Sequence, residues 1–337
     1  MTIETVAVLG AGSWGTALAA LLARAGHAVT LWSHEAEVAT AVRDSHENTA
    51  YLPGVLLPTA LQATADLQSA LETADVVVSV TPSQFVRGVM SRAAPYLRPD
   101  TLVVSASKGI ELSTLKRMDE VLTEVLQADL RQRFVVLSGP SFAAEVAREE
   151  PTAVVVASES GEAAQRTQTL FQTSTFRVYT NSDVVGVELG GSLKNVIALG
   201  AGVAAGLGFG HNTRAALITR GLAEVTRLGV ALGAQASTFA GLAGMGDLVL
   251  TCTGELSRNR SVGVRLGQGE SLASILGELH AVAEGVKTAQ AVHDLAARHG
   301  VEMPISEEVY QILVEGKPPL EALRSLMSRD PRPEEWW

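Results

Sequence analysis

The sequence holds a single cysteine, Cys252, which excludes an internal disulfide and a cysteine-based zinc site, as expected in a reducing compartment. Aromatic residues make up only 4% of the chain against 47% apolar residues, so the core is expected to be built from Ala, Val and Leu, as in helix-rich α/β enzymes. Long basic runs are missing, and 26 basic against 36 acidic residues leave a net charge of −10. That balance argues against general nucleic-acid binding and against docking on an anionic membrane. An apolar strand pattern begins at Thr5, leaving no room ahead of it for a signal or transit peptide, so a cytoplasmic location is expected. The apolar run Val196–Gly210 is 15 residues long, short of the ~20 that span a bilayer, and reads as a buried helix. Clusters with metal-ligand spacing and a serine nucleophile elbow are both missing, so no metal is expected. Lysine is scarce too, with five in the chain.

The 337 residues exceed the ~250 to 300 at which single cores stop growing, which predicts two domains. Short β-branched runs alternate with helical patterns at Thr5–Leu9, Ala28–Trp32, Asp75–Val80, Thr101–Ser105, Phe134–Leu137, Thr152–Ala157 and Phe176–Thr180. The alternation predicts a mostly parallel sheet with helices on both faces. Asp66 is expected to cap a helix over Leu67–Leu71, and Ser113 to open one over Thr114–Leu126. Beyond the turn and N-cap Asn181-Ser182-Asp183, strand-like runs give way to Ala, Leu and Gly-rich helical patterns punctuated at Gly229, Gly254, Gly300, Pro304 and Pro318-Pro319. The expected fold class is therefore an α/β, Rossmann-like doubly wound domain over residues 1–181, followed by an all-α helical domain over 182–337.

Gly10-Ala11-Gly12-Ser13-Trp14-Gly15 follows the first strand and opens a helix over Thr16–Arg24 that ends at Gly26. In this context GxGxxG reads as a dinucleotide site. Gly10 permits the tight turn, Gly12 lets the pyrophosphate approach the backbone, and Gly15 lets helix and strand pack closely. The second strand ends at Trp32-Ser33-His34, where an NAD-selective site would usually offer an acid to the ribose. Glu35 comes slightly late, and His34 or Arg43 would tolerate a 2′-phosphate, so NAD and NADP both stay open.

Lys194, with Asn195, lies in a stretch from Val184 to Gly210 whose only other charge is Glu188. Burying an ammonium there is costly, and a lysine among apolar side chains tends to have its pKa lowered, which suits proton transfer near neutral pH. Four further segments fall outside ordinary patterning: Ser107-Lys108-Gly109, Ser138-Gly139-Pro140-Ser141, Gly244-Met245-Gly246-Asp247 and Ser257-Arg258-Asn259-Arg260. The first two lie at the carboxyl ends of predicted parallel strands, where α/β sheets bind ligands. Asp247 on position alone reads as an N-cap, while the last segment offers a guanidinium, an amide and a hydroxyl suited to a phosphate.

Taken in order, GAGSWGTALA, NxxYLPG (Asn48 to Gly54), SKGIE, SGPSFAAEV, LKNVIALGAG, Asn212-Thr213-Arg214, LAGMGDLVLTC, SRNR and Ala283-Glu284-Gly285 resemble the bacterial-type NAD(P)-dependent glycerol-3-phosphate dehydrogenases nearly end to end. Met245 departs from that pattern, with little functional effect expected. The resemblance implies reversible reduction of dihydroxyacetone phosphate to sn-glycerol 3-phosphate, supplying glycerophospholipid synthesis, with NAD or NADP as cofactor in a cleft between the domains of a homodimer.

It also implies roles. Lys194 would be the general acid for reduction and the proton acceptor for oxidation, with Lys108, Asn195, Asp247 and Thr251 completing the polar network. Arg258 and Asn259 would hold the substrate phosphate, lined by Gly139, Ser141 and Ser257. Ser13, Trp14, His34, Lys108, Ala143, Arg258, Val282 and Glu284 would touch the dinucleotide. Two other readings remain: a hydroxy-acid or sugar-acid dehydrogenase with the same layout, and a dinucleotide sensor that has lost its chemistry, which should lack Lys194 or Asp247.

Overall fold

The computed structural model describes residues 3–127, 130, 132–278 and 283–334. These divide into two compact units, one holding the residues up to Lys108 with Lys116–Val187, the other Gly109–Leu115 with the residues from Glu188 onward. The long helix Val184–Gly206 runs through the division, so the compact units part a turn and a half beyond the turn at Asn181-Ser182.

In the first unit the strands are β1 (Thr5–Leu9), β2 (Ala28–Trp32), β3 (Gln62–Thr64), β4 (Val76–Ser79), β5 (Leu102–Ser105), the short β6 (Ile110–Glu111, counted with the second unit) and β7 (Lys116–Arg117), then β8 (Phe134–Ser138), β9 (Thr152–Ala157) and β10 (Phe176–Asn181). One eight-stranded sheet has the order β10-β9-β8-β5-β4-β1-β2-β3. Every described pairing in it is parallel except β8 with β9. Central strands such as Val76–Ser79 and Leu102–Ser105 are buried at every position, as sheets covered on both faces require. Strand β3 escapes the sequence pattern because three residues are too few to show an alternation.

The Rossmann-like, doubly wound class holds, and all elements from Val184 to the end of the described residues are helical. Asp66 does cap Leu67–Leu71 by accepting the Gln68 N–H at 3.0 Å. The helix expected from Thr114 instead begins at Met118. Leu115 takes a left-handed φ of 60°, and the Glu120 carboxylate accepts the Arg117 N–H at 2.9 Å, so the capping box sets the start there.

We label the helices that matter below α1 (Ser13–Arg24), α2 (Val184–Gly206), α3 (His211–Ala231), α4 (Asp247–Thr253), α5 (Arg258–Gly267), α6 (Glu284–His299) and α7 (Pro304–Tyr310). Asp183 caps α2 by accepting the Gly186 N–H at 2.9 Å. Helix α2 is longer than the apolar run that announced it, and is long and apolar enough to cross a membrane by length and composition alone, yet 89% of its most apolar window is buried. It is the core helix of the second unit. Gly254 and Gly300 end helices and Pro304 and Pro319 begin them. Gly229, by contrast, lies inside α3, where a Cβ would stand 2.1 Å from the Phe239 ring. That glycine serves packing rather than termination.

Candidate active site

The strand order of the first unit reverses between β1 and β4, the point at which open α/β sheets bind ligands. Gly10 leaves β1 with φ 120°, and a Cβ there would lie 2.9 Å from the Val80 carbonyl oxygen just beyond β4. A Cβ on Gly15 would lie 1.9 Å from the Gly10 oxygen, so both glycines are fixed by backbone contact. Gly12, the N-cap of α1, has open space where its Cβ would be. Helix α1 has neither a side-chain cap nor an acidic residue in its first turn, and its N–H groups are left for an anion. Trp14 Nε1 is buried without a hydrogen-bond partner, as are the hydroxyls of Ser79, Thr81, Ser105 and Ser138 at the carboxyl ends of β4, β5 and β8. This cradle fits a dinucleotide pyrophosphate.

Around it, Ser13 Oγ donates to the Tyr51 carbonyl at 2.5 Å, and Trp14, Tyr51 and Ala143 pack against the same core cluster. His34 is exposed beyond β2. Glu35 is engaged, accepting from Tyr51 Oη at 3.0 Å and Ser33 Oγ at 3.3 Å, and the bond from Tyr51 raises that hydroxyl's pKa above its ordinary value. Arg43 pairs with Asp44. Lys108 Nζ and Ser141 Oγ both donate to the Gly139 carbonyl, at 3.3 and 3.0 Å, which brings those three residues together.

In the second unit Lys194 is buried at 7% exposure, and its ammonium donates to Asp247 Oδ1 at 2.5 Å and Thr251 Oγ1 at 2.8 Å. Thr251 in turn donates to the Asp247 carbonyl at 2.6 Å. Asp247, 1% exposed, is the first residue of α4, preceded by Gly246 in helical conformation, so it is not the N-cap that position alone suggested. Its carboxylate supplies the counter-charge without which a buried ammonium costs several kcal/mol, on the order of 3 or more. Cys252, next in sequence to Thr251, is fully buried, and burial pushes its thiol up to about 12.

Helices α2 and α5 meet backbone to backbone. A Cβ on Gly263 would lie 2.2 Å from Leu199 O, and one on Gly267 2.3 Å from Val203 O. Both numbers advance together by one turn, so the helices run in the same direction, and one turn earlier the register sets Asn195 beside Asn259. Gly285 confirms it, its Cβ position 2.8 Å from both Asn195 O and Asn259 Oδ1. The Gly285 N–H donates to Asn259 Oδ1 at 3.0 Å, which takes up the amide oxygen and leaves the NH₂ as donor. Ser257 caps α5 by accepting the Arg260 N–H at 3.2 Å, and Arg258 stands exposed as its first residue. Glu284 opens α6 beside Gly285, while Val282 lies outside the described residues.

Residues 5–164 match the family NAD-dependent glycerol-3-phosphate dehydrogenase N-terminus, and residues 183–324 match the corresponding C-terminus. The chain belongs to the NAD-dependent glycerol-3-phosphate dehydrogenase family. It is similar to glycerol-3-phosphate dehydrogenase [NAD(P)+] of Geobacter sulfurreducens, 60% identical over 99% of each chain. Among solved structures it resembles glycerol-3-phosphate dehydrogenase from Coxiella burnetii, with TM-score 0.92 and 40% identity over 97% of this chain and 99% of that one. It also resembles the enzyme from Saccharomyces cerevisiae, with TM-score 0.82 and 29% identity over 97% of this chain and 100% of that one.

Within this family setting, two residues gain a role that sequence reasoning did not give them. Asn48 is buried, and its amide donates to the Ala11 carbonyl and to Thr16 Oγ1, both at 2.8 Å, so it holds the glycine turn from below. The motif NxxYLPG was its only signal. Ser192 accepts the Gly109 N–H at 2.9 Å and donates to the Glu188 carbonyl at 2.8 Å, and nothing in its sequence neighbourhood marks it.

Proposed function

We propose that this chain interconverts dihydroxyacetone phosphate and sn-glycerol 3-phosphate with NAD(H) or NADP(H), supplying glycerophospholipid synthesis. The observation that carries the reading is the buried Lys194 ammonium held between Asp247 and Thr251, in a chain of this family. The nicotinamide supplies or accepts the hydride when bound. Charge then builds on the carbonyl oxygen of the ketone, and Lys194 neutralises it by giving up a proton from Nζ. Asp247 and Thr251 fix the ammonium's direction and charge before the reaction, so little reorganisation is needed.

The residues up to Asn181 hold the dinucleotide, and those from Ser182 onward bind substrate and carry the catalytic lysine. Arg258 offers a guanidinium fork and Asn259 its NH₂ to the substrate phosphate, with Ser257 completing the α5 N-terminus. Lys108, Gly139 and Ser141 form a second polar cluster lining the same reaction, and Asn195 orients the substrate hydroxyls. Ser13, Trp14, His34, Ala143 and Glu284 contact the cofactor. The enzyme acts as a homodimer in the cytoplasm without membrane insertion, and sedimentation of the purified protein at the mass of one chain would refute the dimer.

The test of the reaction is loss of reduced-nicotinamide absorbance with dihydroxyacetone phosphate, run with NADH and NADPH in parallel and with Lys194→Ala as control. Rapid loss that depends on Lys194 is expected, and the two rates give the cofactor preference. Cofactor binding without turnover would redirect the reading to another hydroxy substrate.

A further inference from the structure

Asp247 reaches Lys194 because of an irregular turn. Residues Leu242–Gly246 form a single π-helical turn immediately ahead of α4, with the Gly246 N–H donating to the Gly241 carbonyl at 3.1 Å. Such a turn inserts an extra residue into a helix and re-aims the side chains beyond it. This one is clamped on two sides. On one side a Cβ at Gly244 would lie 2.2 Å from Phe239 O and 2.4 Å from Phe239 Cα, and the fully buried Phe239 ring rests on Gly229. On the other side a Cβ at Gly190 would lie 2.5 Å from Ala243 O and 3.0 Å from Ala243 C. Backbone atoms are the obstacle in both cases, so neither contact yields by a side-chain rotation.

Gly190 lies four residues before Lys194 on α2, and residues so spaced share one helix face. The face that carries the catalytic ammonium thus carries, one turn earlier, the gap into which the π turn fits. We infer that Gly190 is a positioning residue for proton transfer: its bare face lets the π turn dock, and that docking sets the Lys194 to Asp247 contact. The inference rests on the reading of Lys194 as the proton donor.

A methyl group at position 190 pushes the π turn off α2 and takes Asp247 with it, because the Phe239 contact prevents sideways accommodation. Asp247 on α4 bonds the ammonium, Cys252 lies within electrostatic reach of it and Arg260 of α5 within reach of that thiol, and Glu188 sits on α2 six residues before Lys194. Thr251 is the remaining polar contact. With Asp247 displaced, the protonated lysine loses the counter-charge that α4 supplies.

The experiment compares wild type with Gly190→Ala, and with Gly200→Ala as a control on the same helix, where a Cβ would meet only the Val309 and Ile305 side chains. In Gly190→Ala, kcat for dihydroxyacetone phosphate reduction is expected to fall about a hundredfold. The alkaline limb of its pH profile should move to lower pH, while nicotinamide affinity by fluorescence titration stays at the wild-type value. Gly200→Ala should keep both kcat and the limb. Gly244→Ala presses the turn from its other side and should repeat the Gly190→Ala signature.

Unchanged kcat in Gly190→Ala, or a lowered kcat with the alkaline limb in place, would overturn the inference. So would loss of the folded circular-dichroism spectrum in both Gly190→Ala and Gly244→Ala, because the contacts would then serve the fold alone. Failure of the wild-type protein to reduce dihydroxyacetone phosphate would instead sink the functional reading on which the inference rests.

Discussion

Asp247 and Glu224 are both carboxylates buried in the second unit, and the protein treats them in opposite ways. Asp247 faces an ammonium at 2.5 Å. Glu224 on α3, 2% exposed, faces the start of α7, accepting the Ile305 N–H at 2.7 Å and the Ser306 N–H and hydroxyl at 3.1 Å. Burial outweighs those hydrogen bonds and the nearby Arg227 charge, and it pushes the Glu224 carboxyl up to about 7. Backbone amides can hold a carboxylate in place but cannot pass a proton to a substrate. Burial of a charge is thus a poor guide to chemistry, and the group that compensates it tells the two roles apart.

The sharpest way to break the contrast is to remove the ammonium. Lys194→Ala should lower kcat by about 10³-fold or more, the upper range for a positioned proton donor, with nicotinamide affinity unchanged by fluorescence titration. Asp247→Asn keeps the shape and removes the counter-charge. It should cost about a hundredfold in kcat and, by leaving a buried cation unpaired, about 3 kcal/mol in urea denaturation.

On the other side of the comparison, the effect is on stability and depends on pH. The folded pKa of Glu224, about 7, lies above its ordinary value of 4.5, so its contribution is fully present below 4.5 and is lost as pH rises through 7. The loss amounts to about 3 kcal/mol by the alkaline end. Chemical denaturation at a series of pH values should show this slope in wild type and its disappearance in Glu224→Gln. Smallest of all, Glu224→Ala at about pH 5 leaves the first amides of α7 without their acceptor. A loss of about 1 kcal/mol is expected, with kcat unaltered; a fall in kcat would mean that Glu224 and Lys194 are not separate after all.

Strands β1, β2 and β9 stand at the residues the alternation pointed to, because β-branched runs of five or six residues between turns carry an unambiguous period. Lys194 was legible as a lone cation in an apolar stretch, and Asp247 and Arg258 through the family resemblance. Glu224 was not, since it sits in α3 among other charged residues and only tertiary packing buries it. The π turn was equally hidden, because Gly, Met and Gly suit many backbone paths and the choice is made by Phe239 and Gly190, distant in sequence. Asn48 acts through Ala11 and Thr16, a long-range contact that local pattern does not encode.

The thiol of Cys252 has a practical consequence. Nucleophilic and oxidative chemistry at sulfur proceeds through the thiolate, and a group with no exposed surface and a pKa of about 12 offers almost none. Cys252 of the folded protein is therefore expected to stay unlabelled by maleimides and iodoacetamide. A cysteine introduced on any exposed loop becomes the one addressable handle for a fluorophore or spin label, with no need to disturb the residue next in sequence to Thr251.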